Sequence, residues 1–150
     1  MNLARAIHFD DSDRNVYHVP ARTGEWCIAG GFEFSNWSEG DLAGKARQAF
    51  ANGWLGLETF GRVTFVAVTR IEPAEREALI ADLADHFVQM HGAPSPEAAY
   101  PVATQEIDAM IDLCDGVDAN RVLTVARQLG EAGVTETFRI LDAREAEIEQ

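Results

Sequence analysis

The apolar residues of this 150-residue chain change period in a set order, and that order restricts the fold more than anything else in the sequence. Leu3, Arg5, Ile7 and Phe9 alternate with Ala4, Ala6 and His8, the period of two that marks a strand. DDSDRN supplies a turn, Val16 to Val19 resumes an extended run, and Pro20 ends it. After the turn ARTG, residues 26–34 read as one strand bent at Gly30-Gly31, completing a three-stranded antiparallel meander. A helix is predicted from Ser38, a cap with Asp41 three residues on, carrying Leu42, Ala46, Ala49, Phe50 and Gly53 on one face. Strand character returns at Leu55 and Leu57, pauses at Phe60-Gly61-Arg62, and is strongest over residues 63–71. Pro73 opens a second helix with the stripe Leu79, Ile80, Leu83, Phe87 and Met90, closed by Gly92. Ser95 and Pro96 start another turn, and Pro101 predicts a break before a helix over 101–115. Residues 121–129 and 134–141, separated by GEAG, form a hairpin. Strands, helix, strands, two helices and hairpin predict a single α+β domain spanning 1–150. Its architecture is a two-layer sandwich, a mostly antiparallel sheet with about three helices on one face, followed by an acidic tail from about 142.

Residues 44–68, GKARQAFANGWLGLETFGRVTFVAV, crowd alanine and glycine around Trp54 and Phe60. Gly53 and Gly56 remove side chains where the chain doubles back, and the alanines allow close approach, so tight packing accounts for the stretch without a ligand. A chain this long hides roughly 70% of its unfolded surface and needs no disulfide or metal to hold it together.

Charge removes one class of function. Twenty-five acidic residues against twelve basic ones leave a net charge of −13, so no basic face for nucleic acid can be assembled. A basic protein partner is compatible with that field. No apolar run approaches the length of a membrane span, and MNLARAIHFDD lacks a secretory pattern, so a cytoplasmic location is expected. Cys27 and Cys114 stand alone and are expected to be buried thiols.

The candidate chemistry is sparse. Asp11, Asp13 and Asn15 begin with calcium-loop spacing, but Val16 and Arg22 stand where such a loop needs glycine and glutamate; DGVDAN fails in the same way. His86 and His91 are five apart on one helix, about 140° around its axis, which argues against chelation from a single face. Asp82 and His86 are four apart and make a surface pair. His8 and His18 lie on segments expected to pair; with Asp10 or Asp13 they would make an acid–base or metal set. Phe34 and Trp37 form a candidate aromatic partner surface, and Asp108 and Asp112 a candidate acidic one. No nucleophile elbow or phosphate loop is present, and neither metal nor cofactor is expected.

With GKARQAFANGWLGLETFGRVTFVAV, LARAIHFDDSD and LTVARQLGEAGV, the chain resembles a small bacterial domain-of-unknown-function family. The resemblance implies genes lying among those for oxidoreductase maturation and iron–sulfur proteins. The resulting expectation is a non-catalytic accessory or protein-binding domain, serving a redox enzyme or its maturation, with a basic or redox-related partner and a homodimer left open. The alternative is a small enzyme with His8, His18 and Asp10 as an acid–base site between sheet and helices.

Overall fold

The computed structural model describes residues 1–9 and 15–141. The strands are β1 (Asn2–Ile7), β2 (Trp26–Ile28), β3 (Trp54–Gly56), β4 (Arg62–Val63), β5 (Phe65–Arg70), β6 (Val122–Gly130) and β7 (Gly133–Leu141). The helices are α1 (Gly44–Asn52), α2 (Pro73–His91) and α3 (Pro96–Asp115). One sheet runs β4-β3-β2-β1-β5-β6-β7, with every neighbouring pair antiparallel. It curls into a half-barrel, so that Trp54 of β3 and Phe138 of β7 stack with centroids 5.6 Å apart although four strands lie between them in the sheet. The α+β class, the antiparallel sheet and the three helices agree with the sequence.

α2 and α3 pack on one another, and α3 lies along β1. Leu79, Ile80, Leu83 and Phe87 from α2 meet Ala103, Ile107, Met110, Ile111 and Cys114 from α3 in one core with Leu3, Val66, Val68 and Ile71. Each fully buried Leu or Ile contributes about 1.5–3 kcal/mol, so this stripe carries much of the stability. Arg76 of α2 closes the pair from outside with a bidentate bridge to Asp108, at 2.9 and 2.8 Å. The predicted starts and stops hold here: Ser95 accepts from the Ala98 N–H at 3.1 Å, and Gly92 ends α2 in the left-handed region at φ 74°.

Several local expectations are corrected. The first 35 residues are not a meander: Asn15 and Val16 are helical, and only residues 26–28 of the 26–34 run form a strand. Gly30 adopts φ 71°, turning the chain into a single 3-10 turn over Gly31–Phe34. Period-two patterning cannot register a reversal that glycine makes without steric cost. Ser38 caps a 3-10 turn, Glu39–Asp41, rather than α1, which starts at Gly44. α3 runs unbroken through Pro101, because the bond that proline forgoes would reach Glu97 in the exposed first turn. Met90 is 68% exposed and does not belong to the α2 stripe.

Cys27 and Cys114 are buried free thiols. Burial, with a smaller contribution from Glu25, pushes Cys27 up; burial and Asp115 push Cys114 up to about 12. Both thiols are thus expected to resist iodoacetamide at pH 8 in the folded protein and to react promptly in denaturant. The same shifts fix a sign. A thiol held protonated in the fold adds stability that is complete below its ordinary pKa of 9.0 and is lost as pH climbs toward the folded value. Urea midpoints are therefore expected to fall above pH 9; a flat alkaline limb together with rapid native-state alkylation would refute the buried-thiol assignment.

Candidate functional site

The segment between β2 and α1 is anchored by two buried arginines. Arg62 of β4 donates to the Gly53 carbonyl at 3.1 Å, the Gly30 carbonyl at 3.1 Å and Glu33 Oε1 at 2.6 Å. Arg127 of β6 donates to the carbonyls of Phe50 at 3.0 Å and Gly53 at 2.7 Å, to that of Ala29, and to Glu136 Oε2 at 2.7 Å. Both guanidinium groups lie over the Phe34 ring, at 4.5 and 5.2 Å. Burial pulls Arg62 down to about 10, against the adjacent Glu33 carboxylate, which favours the charged form. The 3-10 turn is thereby locked, and Glu33 points toward the end of α2.

There Glu33 meets two imidazoles. Its Oε1 is held by Arg62, while Oε2 lies 3.2 Å from His91 Nε2 and 3.5 Å from His86 Nε2. The His86 side chain is 10% exposed, and its Nε2 has no hydrogen-bond partner. Its ring lies flat on Phe60, 3.8 Å between centroids and 1° from parallel. Phe60 has φ 54°, a left-handed conformation that a bulky side chain rarely adopts. His91 stands edge-on to Phe32 and Phe87. Burial lowers the basicity of His86, partly offset by Glu33, so the neutral ring is favoured. The 140° separation of the two histidines along α2 does not keep their rings apart: the centroids are 5.2 Å from one another. Helix geometry fixes Cβ directions, and long side chains at a helix end can still converge.

Glu33 and His86 line a cleft of about 910 Å³ between α2 and the loop after β3. Its walls include Trp26, Phe60 and Leu79, and its acidic groups are Glu25, Glu33, Glu58, Asp82 and Asp85. Arg5 lies over the Trp26 ring at 4.0 Å. Glu25 is a fixed part of the wall, its carboxylate taking the N–H groups of Arg22, Glu58 and Thr59 at 2.5, 3.0 and 3.0 Å and the Thr59 hydroxyl at 2.8 Å. A second hollow of about 370 Å³ shares Glu33 and Phe60 with the cleft and adds His91, His18, Trp37 and Lys45.

The residues singled out from sequence are dispersed. His8 hydrogen-bonds the Thr23 hydroxyl through Nδ1 at 2.7 Å, whereas His18 lines the smaller hollow. Asp10 and Asp13, like the acidic tail, lie outside the described residues. Phe34 is 3% exposed, its ring enclosed by Trp37, Phe50 and the two arginines, so it offers no surface to a partner. Trp37 is half-buried against Phe34 and Phe50. Asp108 is engaged by Arg76, and Asp112 is exposed on α3. Sequence reasoning missed Glu33, since no spacing rule links residue 33 to 86 and 91. The one available signal was a pair of histidines flanking Phe87 on a helix that ends in glycine.

No curated protein and no solved structure matches this chain. All of it, residues 1–150, matches a family described as a family of unknown function, DUF6505. The chain belongs to that family.

Proposed function

We propose that this protein is a non-catalytic accessory domain whose cleft receives a basic segment of a client protein in the cytoplasm. The observation that carries this reading is the cleft itself, whose acidic groups outnumber its one arginine and whose walls are aromatic and aliphatic. Arg5 is drawn toward Glu75 at 3.9 Å and is stacked on Trp26, so its charge is partly spent within the chain. Asp82 and Asp85 are exposed on the α2 rim and would meet an incoming lysine or arginine. The aromatic walls suit the aliphatic stems and guanidinium planes of such residues. The net charge of −13 would steer the encounter and make it salt-sensitive. A redox enzyme, or a factor in its maturation, remains the client implied by the family resemblance.

The test is fluorescence anisotropy with a labelled arginine-rich peptide. The double variant Asp82→Lys, Asp85→Lys is expected to weaken binding by about tenfold or more, and Asp112→Lys, on α3 away from the cleft, by less than about twofold. Equal losses from both changes would mean that attraction is diffuse, and the cleft assignment would fail.

A further inference from the structure

We infer that Glu33, His86 and His91 form a binding site for a divalent transition-metal ion, zinc by preference. Among the described residues, this is the group of histidine and carboxylate side chains whose ligand atoms converge, all lying within 4.8 Å of one another. The inference is independent of what occupies the cleft.

The geometry suits an ion better than a hydrogen-bonded trio. Two ligand atoms each about 2.0–2.1 Å from a tetrahedral zinc are about 3.3 Å apart. Glu33 Oε2 lies 3.2 Å from one imidazole nitrogen and 3.5 Å from the other, so two edges of that tetrahedron are in place. Glu33 Oε2 is within hydrogen-bond reach of His91, but His86 Nε2, 3.5 Å from the same oxygen, is buried without a hydrogen-bond partner. A buried ring nitrogen without a partner is costly in a native fold. A cation among the three atoms would coordinate it.

The surroundings have the features of a supporting shell. Arg62 holds Glu33 Oε1, presenting Oε2 alone as a single ligand atom. Phe60 fixes the plane of the His86 ring, and Phe32 and Phe87 bracket that of His91. The strained backbone of Phe60 is explained if its ring is required against a ligand. Two imidazoles and one carboxylate favour zinc, cobalt, nickel or copper over magnesium or calcium. Three protein ligands leave a fourth position for water or an external donor, and hollows open on both sides of Glu33.

The experiment is titration of chelator-stripped full-length protein with Co²⁺, read by visible absorption, followed by displacement with Zn²⁺. Wild type is expected to bind one equivalent and to show the intense bands of a four- or five-coordinate ion. His91→Ala, at the helix end, is expected to weaken binding by about 100-fold or more. His86→Phe keeps a ring stacked on Phe60, removes the ligand atom, and should lose affinity equally. His8→Ala should bind like wild type. Circular dichroism confirms that each variant is folded. Wild type that takes up no ion at 100 µM, or both folded variants binding as tightly as wild type, would overturn the assignment.

Discussion

Replacing Arg127 by alanine is expected to lower the unfolding free energy by about 3–5 kcal/mol, the range for breaking a buried charged network. The side chain of Arg127 is wholly buried and spends each of its nitrogens inside the fold. Two of them satisfy the carbonyls of Ala29, Phe50 and Gly53, and the third pairs with Glu136. Phe50 and Gly53 stand at the end of α1, where carbonyls have no partner within the helix. α1 buries only Phe50 among its own side chains, so this cap, together with the Asn52 amide that donates to the Val125 carbonyl at 3.1 Å, ties the helix to β6. Alanine would strand the Phe50 carbonyl away from water and leave those of Gly53 and Ala29 to Arg62 alone. Glu136 is 27% exposed and would recover solvation, so most of the cost belongs to the carbonyls rather than to the ion pair. Lysine should rescue little, because one ammonium cannot reproduce a planar fork aimed at several acceptors. Urea unfolding decides the matter: a fall in midpoint at constant m equivalent to less than 1 kcal/mol would show that the network is ornamental.

The fold was legible where a local pattern and the tertiary environment ask for the same thing. β5 alternates because one of its faces is buried, and α2 and α3 show their stripes because they pack on each other. The β6–β7 hairpin was visible because Gly130 and Gly133 pair across a two-residue turn, with Gly133 at φ 110°. Residues 29–37 were not legible. Their conformation follows from carbonyls that two distant arginines collect, and nothing local in AGGFEF states that Arg62 and Arg127 will arrive. The candidate site fails to show for the same reason. Glu33 is brought to His86 and His91 by the 3-10 turn, which the arginines hold, and a separation of more than fifty residues leaves no spacing to detect. His8 and His18 lie on segments whose patterning predicts that they pair, yet β1 leads one to Thr23 while the other reaches the Glu33–His91 hollow. The pair Phe34 and Trp37 carries no local sign of burial, because what covers Phe34, a roof of guanidinium groups, comes from strands far along the chain.

The same point governs the glycine of GWLG. Adding a methyl group to Gly56 is expected to cost about 2–4 kcal/mol, in the range of overpacking a core. The packing of helix against sheet is not the cause. Gly56 pairs with Cys27 across β2 and β3, and the space its Cβ would fill belongs to the carboxylate of Glu25. That carboxylate cannot step aside, since three backbone N–H groups and the Thr59 hydroxyl converge on it. Glu25→Ala empties the space but leaves those donors unanswered in a site where the native residue is 5% exposed, and should itself cost about 2–4 kcal/mol. The two changes are therefore expected to couple. With Glu25 already alanine, Gly56→Ala meets no carboxylate, and the double variant should be more stable than the sum of the single ones predicts by about 1–3 kcal/mol. Additive losses in a urea double-mutant cycle would mean that Gly56 is small for some other reason. Coupling would identify the glycine as the space through which a buried acid holds the loop 57–60, and with it Phe60, in place against His86.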